Sequence, residues 1–358
     1  MSLFCLRHYT ALLLTSLLLL CAVPAKAEGF SSGANWTPAE APDTPTRVGI
    51  AIQVDQITFI DQQAENFGIV ATLILRFNDP RLGFEVAPGG ETFRTMPLDA
   101  FVKLAGEKRV NLPAFILKNQ QGRRFAQQEI VIQHSHGDVM YLERFSATLQ
   151  APHFNFRKYP FDTQKFFVEV LSVLPADYYE FYPLDDLSGL GDMLGEEEWV
   201  PYNARMASLV TAGATGLETT QVQLSFEAHR HIQYYALRIL LPLLIILFVS
   251  WATFFLEEYR RRIDMANANL LVFVAFNFAI STTLPRLGYL TFMDSLLVGM
   301  FIITGSMVLV NIALRRLKLN DREVLARKID RYLVIWVYPL MYAGFLFWAI
   351  RFFMFSGN

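Results

Sequence analysis

The sequence predicts an all-β sandwich joined to a bundle of four membrane-spanning helices, and three observations predict it. The chain of 358 residues is 53% hydrophobic with a mean hydropathy of +0.30, more apolar than soluble domains usually are. That apolar content is unevenly spread: after a run at 11–23 nothing comparable occurs before Tyr235, where four long apolar segments begin. Residues 28–233 instead carry 26 acidic against 16 basic side chains, a net −10, whereas residues 234–358 carry 7 against 13, a net +6. The two parts face different solvents. The acidic part gathers cations and repels nucleic acid, so no nucleic-acid partner is expected.

Arg7, His8, the first apolar run and Ala25-Lys26-Ala27 have the form of a signal peptide over residues 1–27, with maturation at Glu28. The run falls short of the about 20 residues a spanning helix needs. Residues 28–233 then read as an exported, periplasmic β-domain. Alternation over Val48 to Ile57 and Phe67 to Phe77, with turn residues from Asp61 to Asn66, predicts a hairpin. Further short strands are expected near 124–134, 139–151, 166–174, 199–209 and 219–228, separated by Gly, Pro, Asn and Asp, which is the spacing of an immunoglobulin-like sandwich. The Gly-rich acidic stretch from Asp185 to Glu198 reads as a solvated loop with enough carboxylates to chelate calcium in principle.

Residues 234–358 hold four apolar segments, at 235–256, 265–284, 291–314 and 332–355, each long enough to span. Connectors at Glu257–Asp264 and Arg315–Arg331 carry clustered basic residues, three arginines in the first and seven basic residues against three acidic in the second, while the middle connector has Arg286 alone. The positive-inside rule places both basic connectors in the cytoplasm and the N-terminal domain and C-terminus in the periplasm. The expected location is a bacterial inner membrane, with membrane lipid as a partner.

Both cysteines, Cys5 and Cys21, lie in the leader, so disulfides and thiol chemistry are excluded from the mature chain. His134 with His136, or His229 with His231, can hold a metal weakly, but solvated histidines are the simpler reading and no metal or cofactor is expected. No phosphate-binding loop, Ser/His/Asp or Cys/His arrangement points to an enzyme.

Tyr159-Pro160-Phe161-Asp162-Thr163-Gln164 resembles the Phe-Pro-Phe-Asp-x-Gln core of the Cys-loop receptor superfamily of pentameric ligand-gated ion channels. Pro152 and Phe166 stand where animal members have bridging cysteines, as in the bacterial, cysteine-less branch. Phe77 to Leu82 resembles the Trp-x-Asp-x-Arg-Leu segment, Asn111 to Asn119 the Trp-x-Pro-Asp segment, Arg230 the arginine ahead of the first helix, Pro242 that helix's proline, and Leu284-Pro285 the end of the pore helix. The resemblance covers nearly the whole mature chain.

It implies a homopentamer, each subunit meeting four identical ones around a central pore, with the second helix lining that pore. In the register set by Pro285, residues Asp264, Ala268, Leu271, Ala275, Phe278 and Thr282 fall within about 40° of one direction at 100° per residue. Periodicity alone does not select this face, because Asn267, Asn269 and Asn277 compete as its polar side. Rings of Leu271 and Phe278 would resist wetting, and a ring of Asp264 would favour permeant cations. Against that stand Arg260 to Arg262, with which Asp264 has an alternative pairing. Phe161, Asp162, Arg230 and Pro285 are the expected gating contacts, with Asp162 and Arg230 as a salt bridge. The matching ligand cleft, at Asn111, Asn119, Leu171 and Val173, lacks the aromatic cage that binds amines, so the stimulus is left as an unknown small agonist or as protons or hydroxide, with His153, His229 and His231 near the membrane. An anion-selective channel and a non-conducting membrane-anchored sensor are the competing readings.

Overall fold

A computed structural model describes residues 44–195, 198–213, 216–281 and 287–355. The expected leader and Glu28, and the expected site residues Thr282 and Pro285, lie outside these described residues. Within them two β-sheets are followed by four long helices.

The expected hairpin is β1 (Thr46–Asp61) and β2 (Asn66–Asn78), antiparallel down to the Asp61↔Asn66 pair. A short β3 (Phe93–Met96), α1 (Leu98–Glu107) and β4 (Phe115–Leu117) come next. Then follow β5 (Gln120–His134), β6 (Asp138–Gln150), β7 (Thr163–Ser172), β8 (Tyr179–Pro183), β9 (Gly189–Leu190), β10 (Trp199–Ala212) and β11 (Glu218–Arg230). Among the described residues one sheet runs β3-β5-β6-β2-β1-β8 with β9 added on β1, and the other runs β10-β11-β7-β4.

The two sheets bury their facing rows, including Ile50, Ile52, Leu73, Val168, Val170, Val222 and Leu224. Phe166 anchors this core at its membrane end. Its ring stacks on Phe226 at 5.1 Å and meets Phe67 and Phe154 edge-on at 5.0 and 5.3 Å. Where a disulfide is missing, ring packing ties the segment after β6 to the sheet; such pairs contribute about 0.5–1.5 kcal/mol each beyond their buried area.

The helices are α2 (Ile232–Phe255), α3 (Tyr259–Ser281), α4 (Phe292–Leu319) and α5 (Glu323–Phe355), all long and apolar enough to cross a membrane. Two begin well before the apolar segments that the sequence marks. The charged turns at 259–264 and 323–331 continue the helices because Arg, Lys and Glu are good helix formers. In α2 and α5 a π-helical stretch, Ala236–Leu240 and Leu333–Val337, lies just ahead of Pro242 and Pro339. Proline has no N–H and crowds the carbonyl four residues back, and a wider turn relieves both. Thr291 starts α4 with a capping box: its hydroxyl accepts from the Asp294 N–H at 3.0 Å while its own N–H donates to the Asp294 carboxylate.

Candidate functional site

β11 ends on Arg230, and α2 begins two residues later, so one side chain stands where sandwich becomes helix. The Arg230 side chain is fully buried. Its Nε donates to Asp162 Oδ1 at 3.0 Å and its Nη1 to Glu198 Oε1 at 2.8 Å and to the Tyr235 hydroxyl at 2.9 Å. The guanidinium also lies over the rings of Trp199 and Tyr159, at 4.0 and 4.8 Å from their centres. Gln62 reaches Glu198 at 3.4 Å, and Tyr235 donates to the same carboxylate.

Three separate segments thus converge on one cation, the β6–β7 loop, the residue before β10 and the first turn of α2, and the β1–β2 turn joins them through Glu198. Burial works against the Arg230 charge and is the largest single influence on it, but Asp162, Tyr235 and Tyr159 together outweigh that loss and hold the guanidinium above its ordinary pKa. Burial likewise pushes the Tyr159 phenol up. The β6–β7 loop also rests on the top of α4: the Phe156 N–H donates to the Tyr289 hydroxyl at 3.1 Å, the Phe292 N–H to the Arg157 carbonyl at 2.8 Å, and Phe161 meets Phe292 edge-on at 5.8 Å. Beside the ionic centre a cleft of about 740 Å³ is lined by Gln62, Glu198, His231, Tyr234, Arg238 and Phe276.

The long helix α3 has one face packed and one bare. Arg262, Ala266, Asn269, Phe273 and Ile280 are buried. Asn269 donates to the Ile246 carbonyl of α2 at 3.0 Å and to the Ser250 hydroxyl, and Phe273 packs on Phe301 of α4. About half a turn away Asp264, Ala268, Leu271, Ala275 and Phe278 are exposed, Leu271 by 70% and Phe278 by 73%. At the foot of α3, Arg261 pairs with Glu258 at 2.9 Å and Arg262 with Asp330 of α5 at 2.7 Å.

The model of the neurotransmitter-gated ion-channel ligand binding domain family matches residues 33–174. The chain is 26% identical over 298 residues to a proton-gated ion channel of Gloeobacter violaceus, covering 82% of this chain and 80% of the relative. These matches place residues 33–174 with the ligand-binding domains of the pentameric ligand-gated ion channel superfamily. A gamma-aminobutyric acid receptor subunit beta-4 of Gallus gallus is 24% identical over 267 residues, covering 72% of this chain. A pH-sensitive chloride channel 2 of Drosophila melanogaster is 25% identical over 300 residues, covering 77%. The chain spans about half the length of these two animal relatives, 52% and 54%. Members of the superfamily are membrane channels with an external ligand-binding domain, not enzymes.

The expected site residues are unevenly distributed. Asp162, Arg230 and Phe161 meet at the junction, and the five described members of the α3 stripe share its exposed face. The ligand-cleft set divides. Asn111 is exposed and Val173 is 46% exposed, but Asn119 is buried with its amide donating to the Gln150 and Phe167 carbonyls at 3.1 and 2.8 Å, and Leu171 is 5% exposed. Asn119 ties the start of β5 to β7 and leaves no group free for a ligand. Among the described residues Asp264 forms no ion pair with the neighbouring arginines: Glu258 and Asp330 hold Arg261 and Arg262, and Arg260 is exposed. Among the described residues no cluster of three His, Cys, Asp or Glu side chains is placed to hold a metal.

Sequence reading missed Glu198, which it assigned to a solvated acidic loop; Trp199 beside it, buried in a strand that ends opposite Arg230, was the available signal. It also missed Glu143 of β6. That carboxylate is fully buried, paired with Arg124 at 3.0 Å and accepting from Tyr141 at 3.1 Å. Burial pushes its pKa up, against the pull of Arg124.

Proposed function

We propose that the protein is a homopentameric, cation-selective channel of a bacterial inner membrane, opened by a change of pH at its periplasmic domain. The carrying observation is the bare face of α3. With its back pinned to α2 and α4, five copies of this face can wall a pore in which Leu271 and Phe278 form apolar constrictions and Asp264 forms a carboxylate ring. Asp264 is exposed and the arginines after Arg260 are engaged elsewhere, which favours its acting on permeant ions.

Support for a pH stimulus comes from the junction and from β6. Glu198 stands at the lip of a cleft open to solvent while bonded to buried Arg230 and to Tyr235 on α2, so it couples the link between sandwich and helix to the solvent. Glu143 is already biased towards holding a proton. The first relative named above is itself a proton-gated channel.

Arg260 is exposed, lies four residues from Asp264 on the same stripe and favours the second reading, an anion channel. Reversal potential in a sodium chloride gradient, recorded from reconstituted protein across a pH series, separates the two. A cation channel moves towards the sodium potential, and Asp264→Asn shrinks that shift. A shift towards the chloride potential rejects the cation reading, and silence at every pH rejects the stimulus.

A further inference from the structure

The helix α5 is a single element of 33 residues, about 50 Å long at 1.5 Å per residue and so about 20 Å longer than the bilayer's hydrocarbon core. The excess is its first three turns. Val324, Lys328, Arg331 and Ile335 fall within about 30° of one direction there, flanked by Arg327, Tyr332 and Trp336. Together they line a groove of about 660 Å³.

The groove joins two kinds of surface. At its polar end Arg327 is offset by Glu323 at 3.1 Å, but among the described residues Lys328 and Arg331 have no carboxylate partner, although both are exposed. At its apolar end Ile335 and Trp336 are 52% and 59% exposed, and Tyr332 is 68% exposed. Tyr and Trp rings at a boundary between charged and apolar turns are the usual mark of the headgroup level. The face continues upward as Leu340 and Phe347, 63% and 71% exposed, which suits contact with acyl chains.

We infer that this groove binds an anionic glycerophospholipid of the cytoplasmic leaflet, its phosphate between Lys328 and Arg331 and its chains along Ile335 and Trp336. A neutral zwitterionic lipid offers the same chains without net charge, so the two basic side chains set the preference; each contributes about fivefold. The site is connected to the pore helix. Asp330, on the other side of the same turn, is the partner of Arg262 at the foot of α3, and the Arg262 guanidinium in turn lies over Tyr259 at 4.9 Å. A headgroup that holds this turn in place therefore holds the anchor of α3.

Bromine in the acyl chains quenches tryptophan only at contact, and Trp336 reports from the groove itself. The full-length pentamer is reconstituted in phosphatidylcholine with a minor share of phosphatidylglycerol, bromine being carried by one lipid or the other. The Trp336 share of the signal is the difference between wild type and Trp336→Phe. Brominated phosphatidylglycerol should quench that share well above its mole fraction, and the preference should fall at least fivefold in Lys328→Gln/Arg331→Gln, which keeps the Arg327–Glu323 pair. Equal quenching by the two lipids, quenching by neither because a second subunit covers the face, or an undiminished preference in the double variant overturns the assignment. Relief of quenching by millimolar inorganic phosphate also overturns it, by identifying a site for the free ion.

Discussion

Replacing Arg230 with alanine should leave pentamers that assemble and do not conduct. The structure sets the size of the effect. Asp162, whose side chain is 1% exposed, would lose its Arg230 contacts at 3.0 and 3.4 Å and be left as a buried unpaired charge, which costs about 3–5 kcal/mol. Glu198 is 41% exposed and regains water, so its loss is within about 1 kcal/mol. The cores of the sandwich and of the bundle lie on either side of the junction and keep their own packing. Thermal unfolding of the purified pentamer reads stability, and ion flux into vesicles across a pH series reads conduction. The double variant Arg230→Ala/Asp162→Asn separates the two roles. It removes the stranded charge and should recover most of the lost stability while remaining silent, because the ionic link from the β6–β7 loop through Arg230 to Glu198 is then gone and the ring contact of Tyr159 with Tyr235 at 5.5 Å is what remains. Normal flux through Arg230→Ala, or a double variant as unstable as the single, would refute the assignment.

Two further outcomes follow from buried polar groups. Glu143 has its folded-state pKa raised by burial, so the native state binds a proton more readily than the unfolded chain, and this group's contribution to stability grows as pH falls from neutrality towards 4.5, its ordinary value. The advantage of Glu143→Gln over wild type in melting temperature should therefore shrink on acidification, and a pH-independent gap would count against it. Asn269→Ala removes the side-chain bonds from α3 to Ile246 and Ser250 and should destabilise each subunit by about 1 kcal/mol; an unchanged melting temperature in detergent would show that the pin is idle.

Much of the architecture was legible because it rests on period and solvent. Strands with one buried face alternate, so β1, β2, β5, β6, β7, β10 and β11 stand out, whereas β3, β4, β8 and β9 are too short to show a period, and β8 pairs β1 in parallel across more than a hundred residues. The junction pair Asp162 and Arg230 was visible only through motif resemblance. Glu198 was hidden, since a carboxylate in a Gly-rich acidic stretch looks solvated until the partner from β11 is folded against it. The face of α3 was ambiguous for a related reason: Asn269 is polar but points inward to a carbonyl, and only the neighbours of a helix decide which polar side chain is satisfied by protein and which by water.

The bare stripe of α3 has a consequence in arithmetic. In the proposed homopentamer that face is repeated five times around an axis, so any substitution on it is read five times. A change that biases opening by about 0.5 kcal/mol in one subunit amounts to about 2.5 kcal/mol in the ring, or roughly seventyfold in the ratio of open to closed channels. Mixtures of wild-type and variant chains would then form a ladder of six assemblies, each rung differing by about 2.3-fold. Evolution can thus tune such a pore coarsely with single conservative changes, and a population of subunits can tune it finely by dose.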